Sequence, residues 1–321
     1  MIKATQITKI SLAPIQGITT WYYRKVFENH FSGVDKYYSP YIRLENGKYD
    51  KPARLKDILQ ENNVGISMVP QIMVNTAKDF LILNSIIEDY GYNELNWNLG
   101  CPYPMVTKRK LGAGLLDYPE TIISVLEEVL PKTKLKVSLK MRSGNADDKQ
   151  LGKILPLLKE LPIHEIIIHP RYAKQLYKGE ADQKLFKSLT SLTQHNIVYN
   201  GDITSTKSFK ILKSKYSTLN SIMIGRGLIT NPFLAEEIGG GVILMEQKRA
   251  RFAAFHEDLV LAIKELTSGD AHFLNHMQAF WGYFSLAIID GRKAFKQIKK
   301  VKNAGAYWQV VNSTLSSSDW I

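Results

Sequence analysis

The sequence predicts an α/β fold: a (β/α)8 TIM barrel followed by a C-terminal all-helical domain. Three observations carry this reading. Eight short apolar, β-rich runs recur through the first 225 residues. Helical stretches separate most of them, and strands that alternate with helices pair in parallel through right-handed crossovers. After Gly239-Gly240-Gly241 the strand pattern stops, and Phe252, Phe255, Leu259, Ile263 and Leu266 recur at helical spacing.

In chain order the strands are expected at Ile10–Ala13, Val34–Tyr38, Val64–Ile72, Glu94–Leu99, Lys136–Met141, Glu165–His169, Ile197–Asn200 and Ser221–Gly225. Helices are expected at Thr76–Tyr90, Pro119–Leu130, Asp147–Leu161, Asp182–Leu192 and Ser205–Lys213. The connection Ser39–Asn63 has only a weak helical pattern. A doubly wound open sheet is the rival architecture. It lacks its usual Gly-x-Gly-x-x-Gly after the first strand, where Ala13-Pro14-Ile15-Gln16-Gly17 stands instead. The glycine run divides the chain into a barrel over 1–241 and a helical domain over 242–321, with further helices at Gln278–Ile289 and Gly291–Val301.

A chain of 321 residues, 45% hydrophobic and 22% charged, has the composition of a folded globular protein. One cysteine excludes an internal disulfide framework and a cysteine-rich zinc site, and no structural metal is expected. No apolar run approaches the ~18 residues of a membrane span, and Met1–Ser11 has no signal-peptide core. These features lead to the expectation of a cytoplasmic protein with no membrane partner. The net charge of +12 favours a polyanionic partner, nucleic acid above all.

In such a barrel, chemistry collects where the strands end. Cys101 sits there, in Asn98-Leu99-Gly100-Cys101-Pro102, where Gly100 and Pro102 turn the backbone out of the fourth strand. The other strand ends carry Pro14, Ile15 and Gln16, Gln71, Lys140 with Arg142, His169 with Arg171, Asn200-Gly201-Asp202, and Gly225-Arg226-Gly227. Glycines after the last two strands let backbone N–H groups approach an anion, and Arg226 adds charge, so a phosphate is expected there. Lys140, inside an apolar strand, must pair with an anion or electron-rich ring or shift its pKa.

Ala13-Pro14-x-x-Gly17, Asn98-Leu99-Gly100-Cys101-Pro102, Lys140-x-Arg142-x-Gly144, His169-x-Arg171 with Gln175-x-Tyr177-x-Gly179, Asn200-Gly201-Asp202 and Gly225-Arg226-Gly227 follow one another in an order and spacing that resemble the tRNA-dihydrouridine synthase family. Lys108-Arg109-x-x-Gly112-x-Gly114 resembles that family's active-site loop. The chain departs from the family at Ile15, at Thr19-Thr20, at Pro170 and at His276-Met277-Gln278-Ala279-Phe280, where members often carry Met, Thr-Asp, Gly and basic residues before an aromatic.

The resemblance implies an FMN enzyme that reduces the C5–C6 bond of a uridine in tRNA with NADPH. Hydride passes from reduced flavin to C6, and a proton passes to C5 from Cys101. By the same resemblance Pro14, Ile15, Gln16, Gln71, Lys140 and His169 border the flavin, and Asn200, Gly201, Asp202, Gly225 and Arg226 cradle its phosphate. Asn98, Lys108, Arg109, Arg171 and Tyr177 are expected toward the RNA, with Tyr177 able to stack on a base. Arg292, Lys293, Lys296 and Lys300 belong to a basic run without intervening acids, and Lys293, Lys296 and Lys300 share a helix face. Phe280-Trp281-x-Tyr283-Phe284 is expected as helical core. Two rivals stay open at this point. One is a flavin barrel acting on a free pyrimidine, similar to dihydroorotate dehydrogenase; the other is a flavin-free RNA-binding barrel.

Overall fold

The computed structural model describes residues 8–45, 48–49, 52–317 and 319. Its strands in chain order are β1 (Lys9–Leu12), β2 (Lys36–Tyr38), β3 (Leu44–Glu45), β4 (Lys48–Tyr49), β5 (Met68–Val69), β6 (Gln71–Ile72), β7 (Glu94–Leu99), β8 (Lys136–Gly144), β9 (Glu165–Tyr172), β10 (Ile197–Asn200) and β11 (Ser221–Ile224). The main sheet runs β5-β2-β1-β11-β10-β9-β8-β7-β6, with every pair parallel. Its two ends are halves of one strand, separated by Pro70 alone. Pro70 has no N–H to give, so the ladder breaks there, and its carbonyl still accepts from Asn96 N at 2.9 Å. The sheet returns on itself as an eight-stranded barrel.

The helices are α1 (Trp21–His30), α2 (Ala77–Asp89), α3 (Pro104–Thr107), α4 (Pro119–Val129), α5 (Gln150–Leu157), α6 (Gln183–Thr190), α7 (Thr206–Lys215), α8 (Arg226–Thr230), α9 (Leu234–Ile238), α10 (Met245–Leu266), α11 (Gly269–Phe284), α12 (Gly291–Ile298) and α13 (Ala304–Ser317). Thr76, Asp182 and Ser205 cap α2, α6 and α7 by accepting from backbone N–H groups of the first turn. The connection read as weakly helical contains the β3–β4 hairpin and two 3-10 segments, Pro52–Ile58 and Gln60–Asn62. The helix expected over Asp147–Leu161 is shorter, Gln150–Leu157.

Strands β8 and β9 outrun their expected ends. Arg142, Ser143, Pro170 and Arg171 therefore lie within strands. Between the pairs Arg142–His169 and Gly144–Tyr172 the register slips by one residue. The slip falls at Pro170, which cannot serve the ladder, and such bulges re-aim side chains. Arg171 is buried at the barrel mouth beside His169.

The helices after the barrel share a continuous hydrophobic core with it. Phe255 on α10 packs its ring 5.0 Å from Phe31 and 6.0 Å from Tyr23, both on or next to α1. Tyr23 stacks on Phe280 of α11 at 5.3 Å. Arg251 adds bonds to Glu236 and to the His30 carbonyl. Phe280, Trp281 and Phe284 are fully buried, while Tyr283 is only half-buried and faces outward from that stripe. Among the described residues no helix is long and apolar enough to cross a membrane.

Candidate active site

Every residue of β7 is buried, and successive side chains alternate across the sheet. Asn96 and Asn98 thus share one face. A chain of amides runs along it: Asn96 Nδ2 donates to Ser138 Oγ at 2.9 Å, Gln71 Nε2 to Asn96 Oδ1 at 2.7 Å, and Asn98 Nδ2 to Gln71 Oε1 at 2.8 Å. Asn98 Oδ1 then accepts from Gly100 N at 3.0 Å and Cys101 N at 2.9 Å, which turns the chain sharply at the strand's end. The loop after Cys101 folds back over it, and Ala113 N bonds to the Cys101 carbonyl at 3.0 Å. A Cβ on Gly112 would stand 2.8 Å from that of Cys101, and Gly112 has φ +54°, so glycine is required there.

Cys101 is 9% exposed, against Met73, Val106 and Leu111. Burial pushes its thiol pKa up, and the Tyr103 backbone, Arg142, Lys140 and Arg43 pull the other way. The result is a protonated thiol at neutral pH with cations close by.

At the C-terminal ends of the strands lies a cavity of about 70 Å³, lined by Lys140, whose charge reaches the thiol, but not by Cys101 itself. Ala13, Pro14 and Ile15 form one wall, and Lys140, His169 and Arg171 another. Asn200, Gly201 and Asp202 with Gly225 and Arg226 close the far side, and Tyr177 stands at the rim. The β1–α1 loop is fixed by buried Arg24, which donates to Thr19 O at 2.8 Å and to Asn63 Oδ1 at 2.8 Å.

The cavity is cationic. Burial, reinforced by Arg142, lowers Lys140 to about 7, and Lys140 makes no hydrogen bond or ion pair among the described residues. Burial and the surrounding Arg142, Lys140, Arg171 and Arg226 hold His169 well below its usual range. Its Nε2 lies 3.2 Å from Arg171 Nη1, which can only donate, so Nε2 accepts and the neutral ring carries its proton on Nδ1. Arg226 lies over the Tyr177 ring at 4.2 Å, and Arg142 at 5.4 Å.

The expected site residues fall into three groups. Pro14, Ile15, Lys140, His169, Asn200, Gly201, Asp202, Gly225 and Arg226 line the cavity, with Arg171 and Tyr177. Within this group the Asp202 carboxylate is spent on a bidentate pair with Arg171, at 2.9 and 2.6 Å, and on Ala181 N at 2.7 Å. Cys101, Gln16, Gln71 and Asn98 stand off the cavity wall: Gln16 Oε1 is buried without a partner among the described residues, and Gln71 and Asn98 bond to each other behind Cys101. Lys108 and Arg109 are exposed on the loop after Cys101; Arg292, Lys293, Lys296 and Lys300 form an exposed face of, and just beyond, α12. The sequence reading assigned no role to Arg142. An arginine inside a strand two residues after Lys140 was the available signal.

The barrel defines the class first. A variant of NCR from Zymomonas mobilis matches with a TM-score of 0.52 at 15% identity, over 75% of this chain and 90% of that one. Histamine dehydrogenase from Rhizobium sp. 4-9 matches with a TM-score of 0.52 at 10% identity, over 78% of this chain and 49% of that one. At such identities the likeness is one of fold. The family is narrower: the model of the dihydrouridine synthases matches residues 11–315, and the chain belongs to that family. It is 28% identical over 227 residues to tRNA-dihydrouridine synthase B of Pasteurella multocida, covering 70% of this chain and 67% of that protein. It is 27% identical over 241 residues to tRNA-dihydrouridine(16) synthase of Neisseria meningitidis serogroup B, covering 73% and 72%.

Proposed function

We propose that this chain is an FMN-dependent tRNA-dihydrouridine synthase, reducing the C5–C6 bond of a D-loop uridine with NADPH as electron source. The family match over residues 11–315 carries the reading, and a cationic strand-end cavity whose Lys140 acts electrostatically on Cys101 supports it. FMN suits the residues present on two counts. Lys140 presents to the cavity an amine with no partner among the described residues, and Arg226 stands beside Gly225, where an anionic phosphate would gain both charge and backbone donors. Gln16 Oε1, buried next to Pro14 and Ile15 with no partner among the described residues, would be satisfied by a ring N–H of such a group.

FMN, when bound, would supply the hydride for C6 of the uracil. Cys101, kept as the thiol by burial, gives its proton to C5, and Arg142, Lys140 and Arg43 stabilise the thiolate left behind. Lys140 and His169 would border the flavin and the substrate carbonyl. Asn200, Gly201, Asp202, Gly225 and Arg226 would surround the phosphate, Asp202 by holding Arg171 in place. The target base must leave its stack to reach this depth, and Tyr177 at the rim stacks on RNA. The helices over 242–321 form the RNA-binding domain, with the α12 basic face and Lys108 and Arg109 meeting phosphates. The protein acts in the cytoplasm.

Mass spectrometry of tRNA from cells with and without the protein tests the reaction and its position together. Loss of one dihydrouridine on deletion is expected. Unchanged tRNA alongside turnover of free uracil or dihydroorotate would replace this reading with the free-pyrimidine one.

A further inference from the structure

Arg142 is 2% exposed, and three of its five N–H donors go to backbone carbonyls. Nε donates to Gly100 O at 3.1 Å. Nη1 donates to Tyr172 O at 3.1 Å and to Leu176 O at 2.8 Å. Gly100 O and Leu176 O are the carbonyls immediately before Cys101 and Tyr177. The peptide unit entering Cys101 is therefore pinned on both edges, its oxygen by Arg142 and its N–H by Asn98. The unit entering Tyr177 is held by the same guanidinium, and Leu176 adopts φ +52° and ψ −105°, a conformation that a non-glycine residue keeps only under restraint. The loop around Leu176 is otherwise exposed, at Lys174, Tyr177 and Lys178.

We propose that Arg142 is a positioning residue that ties the Cys101 loop to the loop bearing Tyr177, so that thiol and aromatic ring meet the same uridine as one unit. The tie rests on the reading of Cys101 as proton donor to a uridine. Its geometric content stands apart from that reading. A lysine at 142 keeps the charge and loses the planar fork that reaches three carbonyls at once.

Cys101 is the sole cysteine, so alkylation of the full chain by iodoacetamide reports one site. Limited trypsin digestion mapped at Lys174 and Lys178 reports the other loop. In Arg142→Lys we expect both to quicken, alkylation by about tenfold, the population shift that follows loss of a hydrogen bond to a charged group. The gain should be the same at every pH sampled, because the charge is retained. A profile displaced along the pH axis with no gain in rate, or loosening of one loop alone, overturns the tie. Leu176→Pro leaves Arg142 in place and keeps the test open if Arg142→Lys does not fold. It removes the bond from Leu176 N to Ala173 O and forbids the observed φ. Coupling is reciprocal, so Cys101 alkylation should quicken there too; an unchanged rate overturns the proposal. Neither readout uses tRNA or turnover. A chain that fails to reduce uridine would leave the tie standing, and an active chain with independent loops would sink it alone.

Discussion

Asn98 Nδ2 donates to Gln71 Oε1 at 2.8 Å while Asn98 Oδ1 receives the N–H of Cys101 at 2.9 Å. One side-chain amide thus connects the break in the third barrel strand to the seat of the thiol. The Pro70 interruption leaves Gln71 at the start of β6, fully buried and opposite Asn96.

Asn98→Ala strands two backbone N–H groups and the Gln71 oxygen. Each buried polar group left without a partner costs about 1–3 kcal/mol. We expect a loss of at least about 3 kcal/mol in urea unfolding, read as a lower midpoint with an unchanged slope. Turnover should fall with it, because the turn that presents Cys101 relaxes.

Cys101→Ala should keep the fold and the bound flavin and lose about 10²–10⁴-fold in single-turnover reduction of tRNA, the usual share of a positioned acid. Full activity in that variant would remove Cys101 from the reaction.

Arg226 is 38% exposed at its side chain and only 3.5 Å from Asp202, whereas Arg171 is locked into its pair. Arg226→Ala should therefore lower flavin retention, read as the ratio of flavin to protein absorbance, with little effect on folding. Arg171→Ala should destabilise the fold itself, since it leaves Asp202 without its main partner.

Lys140 gives a pH signature. Its folded value is lowered to about 7 from the ordinary 10.5. Between those values the unfolded chain holds a proton that the folded chain lacks, so stability rises with pH across that window and is flat below it. Lys140→Met should be more stable than the parent near neutrality, with the difference fading as pH approaches 10.5, followed as Tm against pH. An anion that pairs with Lys140 restores its proton. FMN binding should take up a proton and weaken as pH rises above about 7, measurable by titration in two buffers of different ionisation enthalpy.

Phe255 touches Tyr23, Phe27 and Phe31 across the junction of barrel and helices. Phe255→Ala should cost about 3–5 kcal/mol. Calorimetry should show a single transition for the whole chain, shifted as one, because the core is continuous. Two separate transitions would contradict this.

The alternation of eight apolar runs with helices was legible because strands buried on both faces read as local apolar runs, whatever closes around them. Glu94–Leu99 and Ile197–Asn200 fall where the sequence places them. Cys101 was legible for a similar reason: Gly100 and Pro102 act on the backbone beside it. The interruption at Pro70, the slip at Pro170 and the β3–β4 hairpin were not, since each depends on which neighbour a backbone group faces. The partners that seat the thiol were out of reach as well. Gln71 lies 25 residues before Asn96, and Arg142 lies 42 after Gly100. Composition and local pattern determine which segments become strands and helices, because burial acts residue by residue along the chain. Only barrel closure decides which amide, guanidinium and carboxylate meet, because hydrogen bonds need atoms within about 3 Å and the chain's own order places no such limit on distant residues.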